Sequence, residues 1–321
     1  MKLSVLANLY GSMPLDKALE KITSLGVHTV EIGAGGYPGK DHCNPAELLA
    51  DEKKLEAFKA TFKKYDVEIC ALACHGNPVH PDKAIAKQFH GDMVNAILLA
   101  EKIGVDTIVG FSGCPGSDPD AKRPSWVTCP WPDDFLATLE YQWEVIIAYW
   151  KDMTKFASDH GVNKIALEMH PGFCVYNPET LLKLRKAVGD VIGANLDPSH
   201  LIWQGINPVI AARNLAGAIY HVHAKDTRID SFNTEANGVL DTKHYGDELN
   251  RAWIFRTVGY GHGEDYWRDF VSALRLVGYD KVLSIEHEDS LMTTDEGLSK
   301  AVDVLNRVMI KEEKPCGMRW A

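Results

Sequence analysis

Four short motifs place carboxylate and imidazole side chains directly after apolar, strand-like segments. They are IALEMHP, NLDPSH, HVHAKD and SIEHED, and they carry Glu168 and His170, Asp197 and His200, His223, and Glu286. A buried strand that ends in charged side chains needs partners for them, because an unpaired buried charge is costly. Three carboxylates and one imidazole form an oxygen-rich site that suits Mn²⁺, Mg²⁺ or Co²⁺. We therefore predict one divalent metal ion, with Mn²⁺ first, held by Glu168, Asp197, His223 and Glu286.

The spacing of these four residues supports a shared site. Successive members lie 29, 26 and 63 residues apart, which corresponds to one strand–helix unit, a second unit, and a third with a long insertion. A single glutamate at a strand end is ordinarily explained by a salt bridge, and that alternative stands for each residue alone. Four such residues on consecutive units favour metal binding.

The segments around these motifs alternate between strand and helix patterns along the chain. Eight apolar strand segments are expected, from residues 3–9 to residues 281–289, and each precedes a helix. Strict alternation implies a parallel sheet, and eight units favour a closed (β/α)8 TIM barrel over a doubly wound open sheet. The barrel would bring the C-terminal ends of strands five to eight around one centre. We predict a single α/β domain over residues 1–321.

Two segments that follow strands four and seven are too long for simple connections. They span residues 113–131 and 227–262. Loops of this length are usually functional lids or disordered linkers, and both should lie on the face that carries the site. Their aromatic residues either wall a pocket or only pack the loops onto the barrel; these are Trp126, Trp131, Tyr245, Trp253 and Tyr260.

Composition limits the classes of partner. The chain has 321 residues, of which 45% are hydrophobic and 24% charged, with a formal net charge of −10. Nucleic-acid binders carry a basic footprint, which argues against DNA or RNA as a partner. No apolar run reaches the length of a membrane span.

The N-terminal segment lacks the apolar core of a signal peptide, and the seven cysteines form no C-x-x-C pair. We therefore expect a cytoplasmic protein with reduced thiols.

Taken together, the four motifs, with GYGHGEDYW and GYDKVLSIE near the C-terminus, resemble the xylose isomerase-like TIM-barrel superfamily of sugar isomerases and epimerases. The likeness spans nearly the whole chain. It implies that one divalent metal binds Glu168, Asp197, His223 and Glu286. It also implies that Glu168 and Glu286 move protons, which makes them both ligands and catalytic residues.

The resemblance implies a small carbohydrate substrate and a particular first step. A carboxylate removes the proton next to a sugar carbonyl, while the metal stabilises the negative oxygen that forms. Return of the proton to the other face gives an epimer, its return to the next carbon gives an isomer, and loss of a β-substituent gives elimination. His200 is expected to contact the substrate. His170, His75 or His287 could supply a further acid or base, or only a hydrogen bond to a ligand.

Other branches of the same superfamily suggest alternative functions. The chain also resembles the large subunits of C-glycoside deglycosidases and lyases that act on 3-keto-glycosides, which would use the same metal to expel an aglycone. A small second subunit would then join the homo-oligomer that we otherwise expect. An apurinic endonuclease needs more metal ligands, whereas the fourth strand, IVGFSG, has no histidine and WIFRTV lacks an Asp-x-His pair. A non-catalytic sugar-binding barrel would bind without turnover.

Overall fold

Eight parallel strands close into a barrel, and a separate antiparallel hairpin follows the seventh of them. The structure is a computed structural model that describes residues 1–312. The strands are β1 (Lys2–Leu6), β2 (Thr29–Gly36), β3 (Glu68–His75), β4 (Thr107–Gly110), β5 (Lys164–Glu168), β6 (Ile192–Leu196), β7 (Ile219–Ala224), β8 (Asp226–Ile229), β9 (Trp253–Arg256) and β10 (Val282–Ile285). β1 pairs with β10 on one side and with β2 on the other, so the first and last strands are neighbours. The predicted (β/α)8 barrel is confirmed.

Helices cover the outside of the barrel. They are α1 (Leu15–Ser24), α2 (Pro45–Ala50), α3 (Glu52–Tyr65), α4 (Lys83–Ile103), α5 (Asp133–Asp159), α6 (Pro178–Val188), α7 (Pro198–Ile202), α8 (Pro208–Asn214), α9 (Ser231–Asn237), α10 (Glu264–Leu276) and α11 (Thr294–Val308). Each long helix turns an apolar face inward. Trp150 of α5 and Trp267 of α10, for example, are fully buried. Burial of such large side chains against the strands contributes to the hydrophobic stabilisation of the barrel.

Local signals in the sequence fix several helix ends. At the start of α6, the Asn177 side chain accepts a hydrogen bond from the Thr180 N–H at 2.9 Å, and the Thr180 hydroxyl accepts one from the Asn177 N–H at 3.1 Å. This capping box is followed by Pro178 at the first helical position, where its missing N–H costs nothing. α4 ends at Gly104, whose φ of 76° is the left-handed conformation that glycine adopts without strain.

The strands are shorter than the sequence patterns predict. The fifth was expected over residues 163–172 but ends at Glu168, and the last was expected over 281–289 but ends at Ile285. The sixth was expected over 191–200, yet Asp197 caps the short helix α7 and Pro198 begins it. Polar residues and prolines that follow each apolar run therefore belong to the loops. Asp197 and Glu286 therefore lie just beyond their strands, whereas Glu168 and His223 lie on β5 and β7.

The segment after β7 was predicted as a long loop, and the structure places regular elements inside it. β8 and β9 pair antiparallel over four residues each, and α9 lies between them. The indole rings of Trp203 and Trp253 stack with centroids 4.5 Å apart, which joins the hairpin to the end of α7. The insertion is therefore an ordered hairpin that packs against the catalytic face predicted for it.

The structure also bears on membrane spans, on the cysteines and on the end of the last helix. No helix within residues 1–312 is both long and apolar enough to cross a membrane. Cys43, Cys70, Cys74, Cys114, Cys129 and Cys174 carry free thiols, while Cys316 lies outside the described residues. The last helix was expected to end near residue 313, which also lies outside them, and α11 ends at Val308.

Candidate metal centre

The C-terminal ends of four neighbouring barrel strands deliver the four predicted ligands. Glu168 is the last residue of β5, and Asp197 follows β6 as the N-cap of α7. His223 lies on β7, and Glu286 follows β10 directly. Because all strands are parallel, these ends meet at one rim of the barrel. The structure thus brings together residues that are 118 positions apart at the extremes, from 168 to 286.

The four side chains converge on one point. Each offers an oxygen or nitrogen atom that lies within 4.8 Å of the corresponding atoms of the other three. His223 Nδ1 is 3.2 Å from Glu168 Oε2 and 3.2 Å from Glu286 Oε2. This crowding of three carboxylates and an imidazole has the size and donor set of a metal site.

Several atoms at this point have no hydrogen-bond partner. Asp197 Oδ2, His223 Nδ1 and Glu286 Oε2 are buried and make no hydrogen bond of ordinary geometry, although the Lys225 ammonium lies within ion-pair distance of the two oxygens. Buried polar atoms are rarely left in that state. A divalent ion would satisfy all three at once. The residues present therefore fit the metal that the sequence predicts at this position.

Lys225 is an unexpected member of the site. Its ammonium is 2% exposed and lies 2.6 Å from Glu286 Oε2, 3.2 Å from Asp197 Oδ2 and 2.8 Å from Glu288 Oε2. Burial disfavours the charged amine, but the charges of Asp197 and Glu286 outweigh that effect and hold the pKa of Lys225 well above its usual value. A signal for it exists in HVHAKD: Lys225 directly follows β7 and is two residues after His223, the spacing at which side chains of extended chain share a face.

A second missed residue, Glu31 of β2, lies inside the barrel beneath the centre. Its Oε2 accepts hydrogen bonds from Ser284 Oγ at 2.9 Å, from His221 Nε2 at 2.8 Å and from His223 Nε2 at 3.0 Å. Burial raises the pKa of this carboxyl, but the charges of His223 and His221 hold it well below its usual value. Because Glu31 lies beside Nε2, Nδ1 is the nitrogen that a neutral His223 would present to a metal ion at the centre.

The two predicted catalytic histidines lie on the other side of Glu168. His200 Nε2 is 3.0 Å from Glu168 Oε1, and the rings of His170 and His200 have centroids 4.1 Å apart. Burial lowers the pKa of both imidazoles. His75 also reaches this carboxylate, with Nε2 at 3.1 Å from Oε2.

His287 does not join this group. Its ring packs against α11 at Gly297, where an added Cβ would lie 2.2 Å from the imidazole. The proposed acid–base role for His287 has no support in this position.

An aromatic cavity opens above the centre. Its volume is about 570 Å³, and it is lined by Tyr37, Phe111, His170, Phe173, Tyr245, Phe255 and Glu288. The insertion hairpin thus contributes Tyr245 and Phe255, as expected of a loop on the catalytic face.

Most of the aromatic residues singled out in the sequence have other roles. Trp253 stacks on Trp203 and Trp126 packs edge-on against Tyr176, while Trp131 is largely exposed. The lining aromatics Phe111 and Phe173 were missed, because single phenylalanines in short loops carry no periodic signal. Tyr37 was missed as an isolated aromatic residue after β2, and Phe255 because it lies on β9, a strand that the sequence did not predict.

The chain is similar to known proteins over most of its length. The xylose isomerase-like TIM barrel family model matches residues 19–308. The uncharacterized protein YfiH of Bacillus subtilis is 41% identical over 313 residues, which cover 96% of this chain and 99% of YfiH.

Two solved structures share the fold. IolI with a bound zinc atom superposes with a TM-score of 0.66 at 20% identity, over 96% of this chain and 99% of IolI. A D-tagatose 3-epimerase-like protein gives a TM-score of 0.64 at 22% identity, over 96% of this chain and 98% of that protein. The barrel, the family match over most of its length and the extended identity to YfiH agree: this chain belongs to the xylose isomerase-like TIM barrel family.

Proposed function

We propose that the protein is a metal-dependent enzyme that removes a proton α to the carbonyl of a keto-sugar, and thereby isomerises or epimerises it. One observation carries the proposal. Four ligand-type side chains converge at the C-terminal rim of the barrel, and three of their buried polar atoms lack hydrogen-bond partners. Membership of a family that contains sugar isomerases and epimerases supports an enzyme of this class.

The ion would be held by Glu168, Asp197, His223 and Glu286. When bound, it supplies Lewis acidity, which lowers the cost of negative charge on the substrate oxygen as the α proton leaves. The oxygen-rich donor set agrees with Mn²⁺, which stays the metal that we expect. The zinc atom in IolI supports a metal at this fold without deciding which one this chain uses.

Glu286 is the better placed base of the two glutamates. Its side chain is 17% exposed, against 3% for Glu168, so it borders the space that a substrate can enter. A carboxylate there can take the α proton on one oxygen and return it. Glu168 lies deeper, and its two oxygens already contact His200, His75 and His223.

The histidines next to Glu168 orient the reacting groups. His200 holds Glu168 Oε1 at 3.0 Å and lies next to His170, which lines the cavity. A substrate hydroxyl near the centre would meet these imidazoles, and they can donate or accept its hydrogen bond. His170 and His200 therefore bind and position the substrate.

Elimination is the second candidate outcome. The large aromatic cavity beside the centre favours it, because a sugar with a bulky substituent at the β carbon would place that substituent there. Loss of the substituent after the proton has left would make the protein a lyase. Both outcomes share the first proton transfer.

The test follows the α proton. Metal-loaded protein is incubated in D₂O with ketoses, ketose phosphates and 3-keto-glycosides, and the products are read by NMR. We expect deuterium at the α carbon, with an epimer or isomer in one case and a released aglycone in the other. Turnover of a true substrate with neither deuterium incorporation nor a carbon–hydrogen isotope effect would contradict the proposal.

Substitution of Glu286 tests whether its carboxylate is the base that removes the α proton. Glu286→Gln should reduce turnover by about 10² to 10⁴-fold, the range that a general base contributes, and the metal content of the variant must be measured beside it. Glu68→Gln is the matched control. Glu68 lies at the exposed start of β3, where it pairs with Lys2, and its loss should leave turnover unchanged.

A further inference from the structure

A second cavity, here called the basal cavity, opens at the mouth of the barrel where the strands begin. Its volume is about 390 Å³. β4 begins at Thr107, β5 at Lys164 and β10 at Val282, and all three residues line it. The metal centre lies at the other end of the same strands. The basal cavity is therefore a separate site, and the reaction proposed above makes no use of its lysines.

Two lysines meet in the basal cavity and share one carboxylate. The Lys164 ammonium is bonded to Asp106, and the Lys281 amine lies beside that of Lys164. Asp106 attracts Lys281 as well, but within residues 1–312 no carboxylate forms a salt bridge with Lys281. Two positive charges thus face a single negative charge.

This crowding changes the acidity of Lys281. Burial of its amine, together with the charge of Lys164, lowers the pKa of Lys281 to about 8. Burial also acts against the charge of Lys164, but the hydrogen bond to Asp106 raises the pKa of Lys164 above its usual value. An anion bound beside both amines would stabilise the charged form of Lys281. One further negative charge would balance the pair.

The neighbouring carboxylates do not supply that charge. Glu68 is bonded to Lys2 at 2.9 Å, with both side chains largely in solvent, and Asp280 is bonded to the Arg275 guanidinium. The chain carries a formal net charge of −10, so an excess of cations is not a general property of its surface. The excess in the basal cavity therefore favours an anionic ligand.

Apolar side chains form another part of the wall. Ile69, Val105 and Val282 line the basal cavity, and both valines are buried. An inorganic ion would leave this apolar surface uncovered, whereas an organic anion would remove it from water. The volume of about 390 Å³ lies within the range of roughly 300–1,000 Å³ typical of pockets for small organic ligands.

We propose that the basal cavity binds a small organic monocarboxylate. Its carboxylate group bridges the amines of Lys164 and Lys281, and its carbon skeleton covers Ile69, Val105 and Val282. A single negative charge matches the single excess positive charge, and the planar carboxylate offers one oxygen to each amine. The site does not depend on the reaction proposed for the metal centre, so either proposal can fail without the other.

Benzoate and benzamide test the proposal, because they have nearly the same shape and differ in charge. Titration calorimetry on the Mn²⁺-loaded protein should give a dissociation constant about tenfold lower for benzoate, the gain expected from one hydrogen bond to a charged group. Inorganic phosphate should bind more weakly than benzoate, because it cannot cover the apolar wall.

Variants locate this preference in the basal cavity. Lys281→Met should weaken benzoate binding by about tenfold and leave benzamide binding unchanged, because only the charge of one amine is lost. Lys281→Arg keeps a positive charge and should retain the preference for benzoate. Lys54→Met is the matched control, since Lys54 is exposed on α3 and pairs with Glu47, and its benzoate affinity should equal that of the parental protein.

Chemical labelling of the parental protein gives a readout that does not depend on any variant. An N-hydroxysuccinimide ester of acetic acid labels neutral amines, so Lys281, with its low pKa, should react faster than Lys54. At a benzoate concentration ten times the dissociation constant, about one site in eleven stays free. Acetylation of Lys281 should then slow by about tenfold, while that of Lys54 stays constant. Mass spectrometry of the peptides measures both rates.

The contrary results are equally definite. Equal affinities for benzoate and benzamide, or a preference for benzoate that survives Lys281→Met, would overturn the proposed site. So would acetylation of Lys281 that benzoate does not slow. Tighter binding of phosphate than of benzoate would overturn the ligand class. None of these measurements involves the α proton of a sugar, so none of them bears on the reaction at the metal centre.

Discussion

At the residue scale, the contact between Glu31 and His223 decides how the imidazole faces the centre. The carboxylate of Glu31 accepts the Nε2 proton, and Nδ1 is left without a hydrogen bond among the ligands. Carboxylates that hold a ligand histidine in this way raise its basicity and fix its orientation. Glu31 is therefore a positioning residue for the metal centre.

This role predicts a measurable loss of metal affinity. Glu31→Gln should weaken Mn²⁺ binding by about 10- to 100-fold, because the amide cannot supply the negative charge that polarises His223. Calorimetric titration of the apo protein with Mn²⁺ gives the affinity. Ser284→Ala removes another donor to Glu31 but leaves the His223 contact, so its effect should be smaller. An unchanged affinity in folded Glu31→Gln would show that the contact only supports the barrel.

The sequence motifs identify His223 and Glu286 as site residues but give no sign of Glu31. His223 and Glu286 stand beside other chemically active residues at strand ends, where a local pattern marks them. Glu31 is isolated in the apolar segment HTVEIG, and its partners His221 and Ser284 are 190 and 253 residues away. A single buried carboxylate has no local pattern, since only closure of the barrel gives it partners.

At the element scale, Asp226 organises the insertion that supplies one wall of the aromatic cavity. It begins β8, and its Oδ2 accepts hydrogen bonds from the backbone N–H groups of Gly259, Gly261 and His262 at 2.9–3.1 Å. Its Oδ1 accepts a hydrogen bond from the Thr227 N–H at 2.9 Å. One carboxylate thus ties the start of the hairpin to the chain segment that leaves it.

Removal of this charge should loosen the hairpin. Asp226→Asn should lower the free energy of unfolding by about 2–4 kcal/mol, because several buried donors lose an ionised acceptor. Urea unfolding measures the loss, and proteolysis between residues 238 and 250 should become faster. Asp265→Asn is the control, since Asp265 is exposed on α10 and pairs with Arg268. Equal stability of the two variants would contradict the organising role.

The hairpin itself was not predicted, although the barrel strands around it were. Its strands, Asp226–Ile229 and Trp253–Arg256, are four residues long, and 23 residues lie between them. No two-residue turn joins them, and such turns are the strongest local sign of a hairpin. Their pairing depends on contacts such as the Trp203–Trp253 stack, which a reading of neighbouring residues does not reveal.

At the scale of the whole molecule, the metal centre joins the ends of four barrel strands. An ion that binds only the folded state stabilises it by about 2.7 kcal/mol when its free concentration is a hundred times its dissociation constant. For a chain of this size that corresponds to a rise in Tm of about 5 °C. Thermal unfolding with Mn²⁺ and with a chelator measures the difference. Asp197→Asn should abolish most of the rise, and a parental protein without any rise would argue against the site.

The barrel was predictable as a whole because its signal repeats. Strand and helix patterns recur eight times, and each error in a boundary is small against the length of the unit. The closure of the barrel through β1 and β10 then follows from the number of units. Details that occur once, such as α2 or the hairpin, have no repetition to support them.

The closure also sets when the protein can acquire its metal. Glu286 follows β10, the last strand of the barrel, and β10 must pair with β1 at the opposite end of the sequence. Chains emerge from the ribosome N-terminus first, at about 5–20 residues per second. A nascent chain that has exposed Glu168, Asp197 and His223 still lacks both the fourth ligand and the strand that seals the barrel. A site with all four ligands can therefore form only after β10 has left the ribosome and paired with β1.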